Sequence, residues 1–148
     1  MRTLLIALLV MPLAARAEDA DREQIKAAAL DYIEGWYAGD AARMENALHP
    51  ELAKRIVHRS PDKPDMLQQM SAMTLVMATR KGGGTKTPKA EQQKDVTVLD
   101  VYEGTAVAKV VARDWVDYLS LAKWNGKWKI VNVLWELKPK PTAPAAPK

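Results

Sequence analysis

The most regular pattern of apolar and polar positions lies in the C-terminal third of the chain. Residues 96–101, 105–113, 114–124 and 127–137 each alternate apolar with polar side chains, as half-buried strands do. Asn125 and Gly126 separate the last two segments, and both residue types accept the positive φ angles of a two-residue hairpin turn. The pattern therefore predicts a meander of up to four antiparallel strands.

The N-terminal half has apolar residues at helical spacing instead. Apolar residues recur at intervals of three and four, at Ile25, Ala29, Tyr32 and Trp36, after a sequence that resembles a capping box and opens at Asp21. These features predict a first helix over residues 21–38. A short second helix is expected to follow over residues 40–48, with a glycine stop before it and an aspartate as its N-cap.

The middle of the chain predicts a strand, a helix and a loop. Residues 51–59 alternate weakly and are expected to form a short strand. A second capping box opens at Asp65, and Met66, Met70, Met73 and Met77 then fall on one face of a third helix, with their side chains expected in the core. Residues 80–94 have no hydrophobic period, which predicts an exposed, mobile loop.

Three helices followed by an antiparallel sheet are typical of an α+β fold, in which the helices cover one face of a curved sheet. Two segments carry a resemblance to a known family. ALDYIEGWYAGDAARMENALHPEL, residues 29–52, resembles the opening of the nuclear transport factor 2-like superfamily. VDYLSLAKWNGKWKIVNVLW, residues 116–135, is similar to the closing hairpin of its putative lumazine-binding branch.

This resemblance implies a cone-shaped nuclear transport factor 2-like fold with three N-terminal helices packed on a curved antiparallel sheet. It also implies a pocket between the helices and the concave face of the sheet. The superfamily contains enzymes, such as ketosteroid isomerase and polyketide cyclases, and many non-catalytic binders. Its members often dimerise through the sheet.

Both ends of the chain predict segments outside the folded domain. Residues 1–17 combine Arg2, an apolar run over residues 4–10 and a small-residue ending at Ala17, which is the pattern of a secretory signal peptide. We therefore expect a secreted or periplasmic protein whose domain spans residues 18–138, followed by a Pro-rich tail over residues 139–148. The alternative for residues 1–17 is an uncleaved anchor, although the run is too short for a stable membrane span.

Composition excludes several classes of partner and cofactor. Removal of Arg2 and Arg16 would lower the formal net charge from +4 to +2, and the remaining basic residues have no interleaved aromatics, so we expect no nucleic-acid partner. The chain has no cysteine, and its two histidines, His49 and His58, lack zinc-site spacing, so we expect no metal. Residues 81–86 contain three glycines but not the order of a phosphate-binding loop, and no cofactor is predicted.

Asp117 and Asn132 are the polar residues that interrupt an apolar face of the last two strands. A two-residue turn pairs Trp124 with Lys127, and the same register pairs Asp117 with Leu134, which makes Asp117 and Asn132 diagonal neighbours on that face. The other residues expected around a ligand are Tyr32, Trp36, His49, Trp115 and Leu134. Tyr32 and Trp36 lie four residues apart on one helix, where they could stack on a flat ligand.

Three roles remain open for this set. The first is a non-catalytic protein that binds a small hydrophobic or aromatic molecule, such as a lumazine-like compound, oriented by Asp117 and Asn132. The second is an isomerase- or cyclase-type enzyme in which Asp117 is the general base. The third is purely structural, with Asp117 satisfied by hydrogen bonds inside the fold.

The opposite face of the predicted hairpin is nearly as apolar as the pocket face. It is expected to carry Tyr118, Trp124, Val131, Val133 and Trp135. Such a surface is seldom left in water, and the helices can cover only one face of the sheet. We therefore predict a homodimer through this face, weakened by Val133→Lys.

Overall fold

The computed structural model describes residues 13–139. Its elements in chain order are α1 (Leu13–Ala38), α2 (Ala41–Ala47), β1 (Leu48–Ser60), β2 (Lys63–Ser71), α3 (Ala72–Arg80), a 3-10 turn (Lys89–Glu91), β3 (Lys94–Tyr102), β4 (Thr105–Ala112), β5 (Trp115–Trp124) and β6 (Lys127–Leu137). Residues 1–12 of the predicted signal peptide and residues 140–148 of the predicted tail lie outside the described residues.

The strands form a single six-stranded sheet in the order β2-β1-β6-β5-β4-β3. The predicted C-terminal meander is confirmed, since β3 to β6 pair antiparallel in sequence order. The sheet is extended by an N-terminal hairpin of β1 and β2, in which β1 pairs parallel to β6. The parallel pair brings residues near position 54 beside the last strand of the chain.

A β-bulge in the last hairpin changes which residues face the core. Leu121 pairs with Ile130, as the turn predicts, but Ser120 then pairs with Asn132, and Val131 is left as the extra residue. Because side chains alternate between faces, a shift of one residue exchanges the two faces of the strand beyond it. The predicted pairing of Asp117 with Leu134 is therefore wrong, and Asp117 pairs with Trp135.

The first two helices pack on the inner face of the sheet. The buried residues of α1 include Ile25, Ala29 and Tyr32, as its spacing predicts, and the Asp40 side chain caps α2 by accepting from Arg43 N at 3.0 Å. Asp21 does not start α1, because the helix already runs from Leu13, and its carboxylate instead accepts from Lys123 and Trp128. No helix within residues 13–139 is both long and apolar enough to cross a membrane.

The third helix is shorter than predicted and follows two strands. Residues 63–71 pair with β1 as a hairpin, so α3 begins after Ser71, whose hydroxyl accepts from Thr74 N, and not at Asp65. The prediction of three helices before the sheet is therefore corrected. The expected methionine core is also wrong: Met66, Met73 and Met77 are exposed, Met70 is half-buried, and the buried residues of α3 are Ala72, Leu75, Val76 and Thr79.

The glycine-rich segment after α3 packs against the end of α1. Gly84 is buried and its N–H donates to Trp36 O at 2.9 Å, whereas most neighbouring residues of the segment are exposed, as predicted. A Cβ added to Gly84 would lie 2.7 Å from the Trp36 ring, which is closer than real Cβ contacts allow. This segment therefore fixes the position of Trp36 and is more than a flexible connector.

Candidate functional site

An apolar cavity lies between the helices and the inner face of the sheet, where a pocket was predicted. Its volume is about 120 Å³. Aromatic, aliphatic and methionine side chains line it, together with one lysine: Tyr32, Trp36, Met44, Lys54, Met70, Leu75, Ala78, Trp115 and Trp135. Three of the residues predicted to surround a ligand, Tyr32, Trp36 and Trp115, are therefore brought together here.

The polar side of the cavity is a buried ion pair between Lys54 on β1 and Asp117 on β5. Lys54 Nζ lies 2.5 Å from Asp117 Oδ1, and the two side chains are 5% and 0% exposed. Burial of a charge is unfavourable unless the charge is paired and hydrogen-bonded, so each of these two side chains needs the other in order to be buried in its charged form. The pair joins strands that are far apart in the sequence.

Asp117 accepts hydrogen bonds from three side chains. Lys54 Nζ donates to Oδ1 at 2.5 Å, while Trp115 Nε1 and the Tyr32 hydroxyl donate to Oδ2 at 2.6 Å and 3.2 Å. Asp117 lies behind Lys54 and is not among the described residues that line the cavity. This geometry favours the structural role of Asp117 over that of a general base, which needs an oxygen directed at its substrate.

Lys54 is surrounded by aromatic rings as well as by its counterion. Its Nζ lies 4.7 Å from the ring centroid of Trp135, 5.3 Å from that of Tyr32 and 5.9 Å from that of Trp115. It also donates to the Tyr32 hydroxyl at 2.5 Å. The electron-rich faces of the rings attract the ammonium and partly replace the water that burial removes.

Burial changes the protonation equilibria of this cluster. It lowers the pKa of Lys54 below its ordinary value, although the charge and hydrogen bond of Asp117 act in the opposite direction. Burial, and then the negative charge of Asp117, raises the pKa of Tyr32 well above its ordinary value. The Tyr32 hydroxyl therefore stays protonated at neutral pH and donates to Asp117.

Asn132 and Leu134 do not reach the cavity, because the bulge at Val131 turns them to the outer face of the sheet. Asn132 Oδ1 accepts from Arg55 Nη1 at 2.7 Å on that face, and Leu134 is 52% exposed. Their predicted positions beside Asp117 are thus wrong. Trp135 takes the place predicted for Leu134, opposite Asp117.

His49 also lies away from the cavity. Its ring packs edge-on against Trp124, with centroids 4.8 Å apart, and its Nδ1 accepts from Glu51 N at 3.2 Å. The prediction that His49 reaches the pocket is wrong, since β1 begins at Leu48 and places this side chain near the end of the last hairpin.

The sequence does contain signals for two of the six lining residues that were not predicted, Lys54 and Trp135. Lys54 alternates with Leu52 and Ile56, so it lies on an otherwise apolar strand face. Trp128, Ile130, Val133 and Trp135 form one apolar face only if one residue between Ile130 and Val133 is skipped. Such a break in the alternation indicates a bulge. Met44, Met70, Leu75 and Ala78 complete the wall without any polar signal.

The arrangement suits the binding of an apolar molecule. The ion pair presents no net charge to the cavity, and the walls are mostly hydrocarbon and aromatic. Across residues 13–139, no group of three or more His, Asp or Glu side chains is placed to hold a metal ion.

Comparison with known proteins gives a family and a fold. The family model described as "Putative lumazine-binding" matches residues 20–136. Solved structures with the same fold include NTF2-like proteins of unknown function from Methylobacillus flagellatus (TM-score 0.65, 23% identity, 81% of this chain and 94% of that chain) and Silicibacter pomeroyi (TM-score 0.62, 16% identity, 83% and 98%). Another is from Shewanella baltica (TM-score 0.60, 16% identity, 88% and 100%). No curated protein gives a significant match.

Proposed function

The chain belongs to the family described as putative lumazine-binding and has the nuclear transport factor 2-like fold, and on this basis we propose that it binds a small aromatic molecule without transforming it. The binding site is the cavity beside Lys54. The observation that carries this proposal is the wall of the cavity, in which Trp36, Trp115 and Trp135 provide flat aromatic surface around a neutralised charge pair.

The size of the cavity limits the ligand. Its volume of about 120 Å³ is somewhat smaller than the roughly 150 Å³ of an engineered apolar cavity that binds benzene. A single aromatic ring therefore matches the space available. A two-ring compound such as lumazine would require the flexible side chains of Met44 or Met70 to move aside.

Tryptophan fluorescence provides the test, because three of the five tryptophans line the cavity. We expect benzene, toluene and similar single-ring compounds to change the emission in a saturable manner. Ala78→Leu, which fills part of the cavity, should weaken this binding, whereas Met77→Leu on the exposed side of α3 should not. Unchanged emission across the panel would refute the proposal.

An isomerase or cyclase activity based on Asp117 has no support in the geometry. The carboxylate oxygens of Asp117 accept hydrogen bonds from Lys54, Tyr32 and Trp115, and Asp117 lies behind the cavity wall. A general base requires an oxygen within hydrogen-bonding reach of the proton it removes. We therefore do not assign this chemistry to the site.

We also propose that the protein is a homodimer through the outer face of the sheet. The bulge changes the residues of this face from those predicted: Val133 and Trp135 belong to the interior, and the exposed apolar residues include Val107, Tyr118, Trp124 and Leu134. An apolar set of this kind is typical of an isologous interface.

Sedimentation equilibrium tests the dimer with a corrected substitution. Leu134→Lys would place an unpaired charge on this face and should give a monomer that remains folded. Val133→Lys is not suitable, because Val133 is fully buried and the change would unfold the domain itself. A wild-type protein that stays monomeric up to high concentration would contradict the proposal.

Export to the periplasm or outside the cell completes the proposal. It is supported by the signal-peptide pattern of residues 1–17. Cleavage after Ala17 would keep Asp21 and its bonds to Lys123 and Trp128, which tie the start of the remaining helix to the sheet. The mass of the protein recovered from the periplasmic fraction should correspond to a chain that begins at Glu18; a full-length cytoplasmic product would contradict export.

A further inference from the structure

The residues that line the cavity differ in their burial, and this difference shows where the cavity opens. Four of them are buried and form its closed end: Tyr32, Met44, Lys54 and Leu75. The other five are half-buried and form its mouth: Trp36, Met70, Ala78, Trp115 and Trp135. On the side of the sheet, the wall of the cavity therefore meets solvent at Met70 on β2, Trp135 on β6 and Trp115 on β5.

The inner face of the sheet continues past this mouth with exposed apolar side chains. Side chains on one face of a strand recur every two residues. Met66 therefore shares a face of β2 with Met70, and Leu137 shares a face of β6 with Trp135. Met66 and Leu137 are 60% and 54% exposed, so residues 13–139 leave both of them largely uncovered.

His58 of β1 lies between these two side chains. It pairs with Met66 across β1 and β2. Arg55 pairs with Leu134 across β1 and β6, so His58, three residues further along, is level with Leu137 in this parallel pair. Met66, His58 and Leu137 thus form one row across three neighbouring strands, which we call the shelf.

The polar groups around the shelf are engaged with one another. His58 Nε2 lies 2.7 Å from Gln68 Oε1. Arg59 and Glu136 follow His58 and precede Leu137 in the chain, so both lie on the outer face, where they pair at 2.7 Å. The shelf therefore presents mainly hydrocarbon to a molecule that lies on it.

The dimensions of the cavity and the shelf restrict what such a molecule can be. A single aromatic ring fills the cavity, whose volume is about 120 Å³, so a substituent that points out of the mouth must lie on the shelf. The shelf extends about 7 Å past Trp135, because a strand rises about 3.4 Å per residue, and this is the length of a chain of about five carbon atoms.

From these observations we infer that the ligand is an alkyl-substituted aromatic compound, with its ring in the cavity and an unbranched apolar chain of about five carbon atoms on the shelf. This inference rests on the proposed function, since it describes the rest of the molecule whose ring occupies the cavity. The shelf is continuous with the mouth and lies on the face opposite the proposed dimer interface, so a second copy bound there does not cover it. A ring without a chain would leave Met66 and Leu137 in water.

Toluene and pentylbenzene form the test pair, because each has one ring and they differ by four methylene groups. Complete burial of a methylene group improves affinity by about fourfold, and contact with a one-sided surface such as the shelf should give about twofold. In tryptophan fluorescence titrations, pentylbenzene should therefore bind the wild type about tenfold to twentyfold more tightly than toluene.

Substitutions on the two faces of β2 and β6 separate the shelf from general hydrophobicity. Met66→Gln and Leu137→Gln should each lower the ratio of the pentylbenzene affinity to the toluene affinity by about threefold and leave the toluene affinity unchanged. Leu67→Gln is the matched control, because Leu67 is also 60% exposed but lies on the opposite face of β2. It should leave both affinities unchanged.

The methionine methyl groups provide a readout that needs no variant. In a protein labelled with ¹³C at these groups, the chain of pentylbenzene should give NOEs to Met66, and toluene should give none to it. Met73 and Met77 on α3 are also exposed and should give no NOE with either compound.

The outcomes separate the inference from the proposed function. If toluene binds, but Met66→Gln and Leu137→Gln keep the wild-type ratio and no NOE joins the chain to Met66, the inference is wrong and the binding function stands. If neither compound binds, both are wrong. A preference for pentylbenzene that appears only after removal of residues 140–148 would show that this segment occupies the shelf, and would also overturn the inference.

Discussion

Asp117→Asn is the substitution whose effect follows most directly from the structure. It keeps the shape of the side chain but removes the charge that neutralises Lys54, whose Nζ is 2.5 Å away. The amide also cannot reproduce the hydrogen bonds. Oδ2 accepts from Trp115 and Tyr32 and Oδ1 accepts from Lys54, so in either orientation the NH₂ group of an amide would face a donor.

The expected loss of stability is large. Breaking a buried ion pair by removal of one partner costs about 3–5 kcal/mol. The side chains of Asp117 and Lys54 are 0% and 5% exposed, so solvent cannot take over the role of the counterion. A loss of this size is a substantial fraction of the roughly 5–15 kcal/mol that stabilises a typical domain.

The loss should depend on pH in a defined direction. The charge and hydrogen bond of Asp117 raise the pKa of Lys54, so this pKa, already lowered by burial, should fall further in Asp117→Asn. The folded state then binds fewer protons than the unfolded state. Stability should therefore increase as pH rises from the folded pKa of Lys54 toward the unfolded value near 10.5. The raised pKa of Tyr32 acts in the opposite direction, but only above its unfolded value of 10.0.

Urea unfolding at about pH 7 and about pH 9.5 measures both effects. Asp117→Asn should be destabilised by about 3–5 kcal/mol at the lower pH and should regain part of that loss at the higher pH. The control is the double variant Lys54→Met with Asp117→Leu, which buries no charge. It still loses stability because Trp115 Nε1 and the Tyr32 hydroxyl lose their acceptor, but it should show no gain between the two pH values. A loss below about 1 kcal/mol for Asp117→Asn, equal at both pH values, would refute the reasoning.

Two further substitutions test the packing around the cavity. Gly84→Ala should destabilise the domain by about 1–3 kcal/mol and weaken ligand binding, because the added Cβ would lie 2.7 Å from the Trp36 ring. Thermal unfolding measures the loss of stability, and Gly104→Ala is the control. Equal effects of the two glycine substitutions would argue against the close packing. Val133→Ala should cost about 2 kcal/mol in urea unfolding at any protein concentration, because Val133 is fully buried in the core and does not lie on the outer face. A loss of stability seen only at protein concentrations at which the dimer forms would instead place Val133 on the outer face of the sheet, as the hairpin register without a bulge predicts.

The sequence predicts the fold well where local patterns decide it. The alternation of residues 96–137 and the Asn125-Gly126 turn give four strands and their connection, and the spacing in α1 identifies its buried face. The third helix is predicted poorly because methionines at a helical interval resemble a helix face. Pairing with β1 instead draws the first of them, Met66 and Met70, into β2.

The site is predicted only in part for two physical reasons. The bulge at Val131 has no local turn signal and becomes visible only in the pairing of β5 with β6, so the sequence pattern places Asn132 and Leu134 on the wrong face. The partner of Asp117 is Lys54, which reaches it through the parallel pairing of β1 with β6. A contact between residues so distant in sequence does not follow from periodicity.

The methionines allow the most direct test of binding in the cavity. Met44 and Met70 line it, whereas Met66, Met73 and Met77 are exposed and serve as internal controls. In a protein labelled with ¹³C at the methionine methyl groups, added benzene should shift the signals of Met44 and Met70 through its ring current and give NOEs to them. Shifts confined to the three exposed methionines, or no shifts at saturating benzene, would contradict the account.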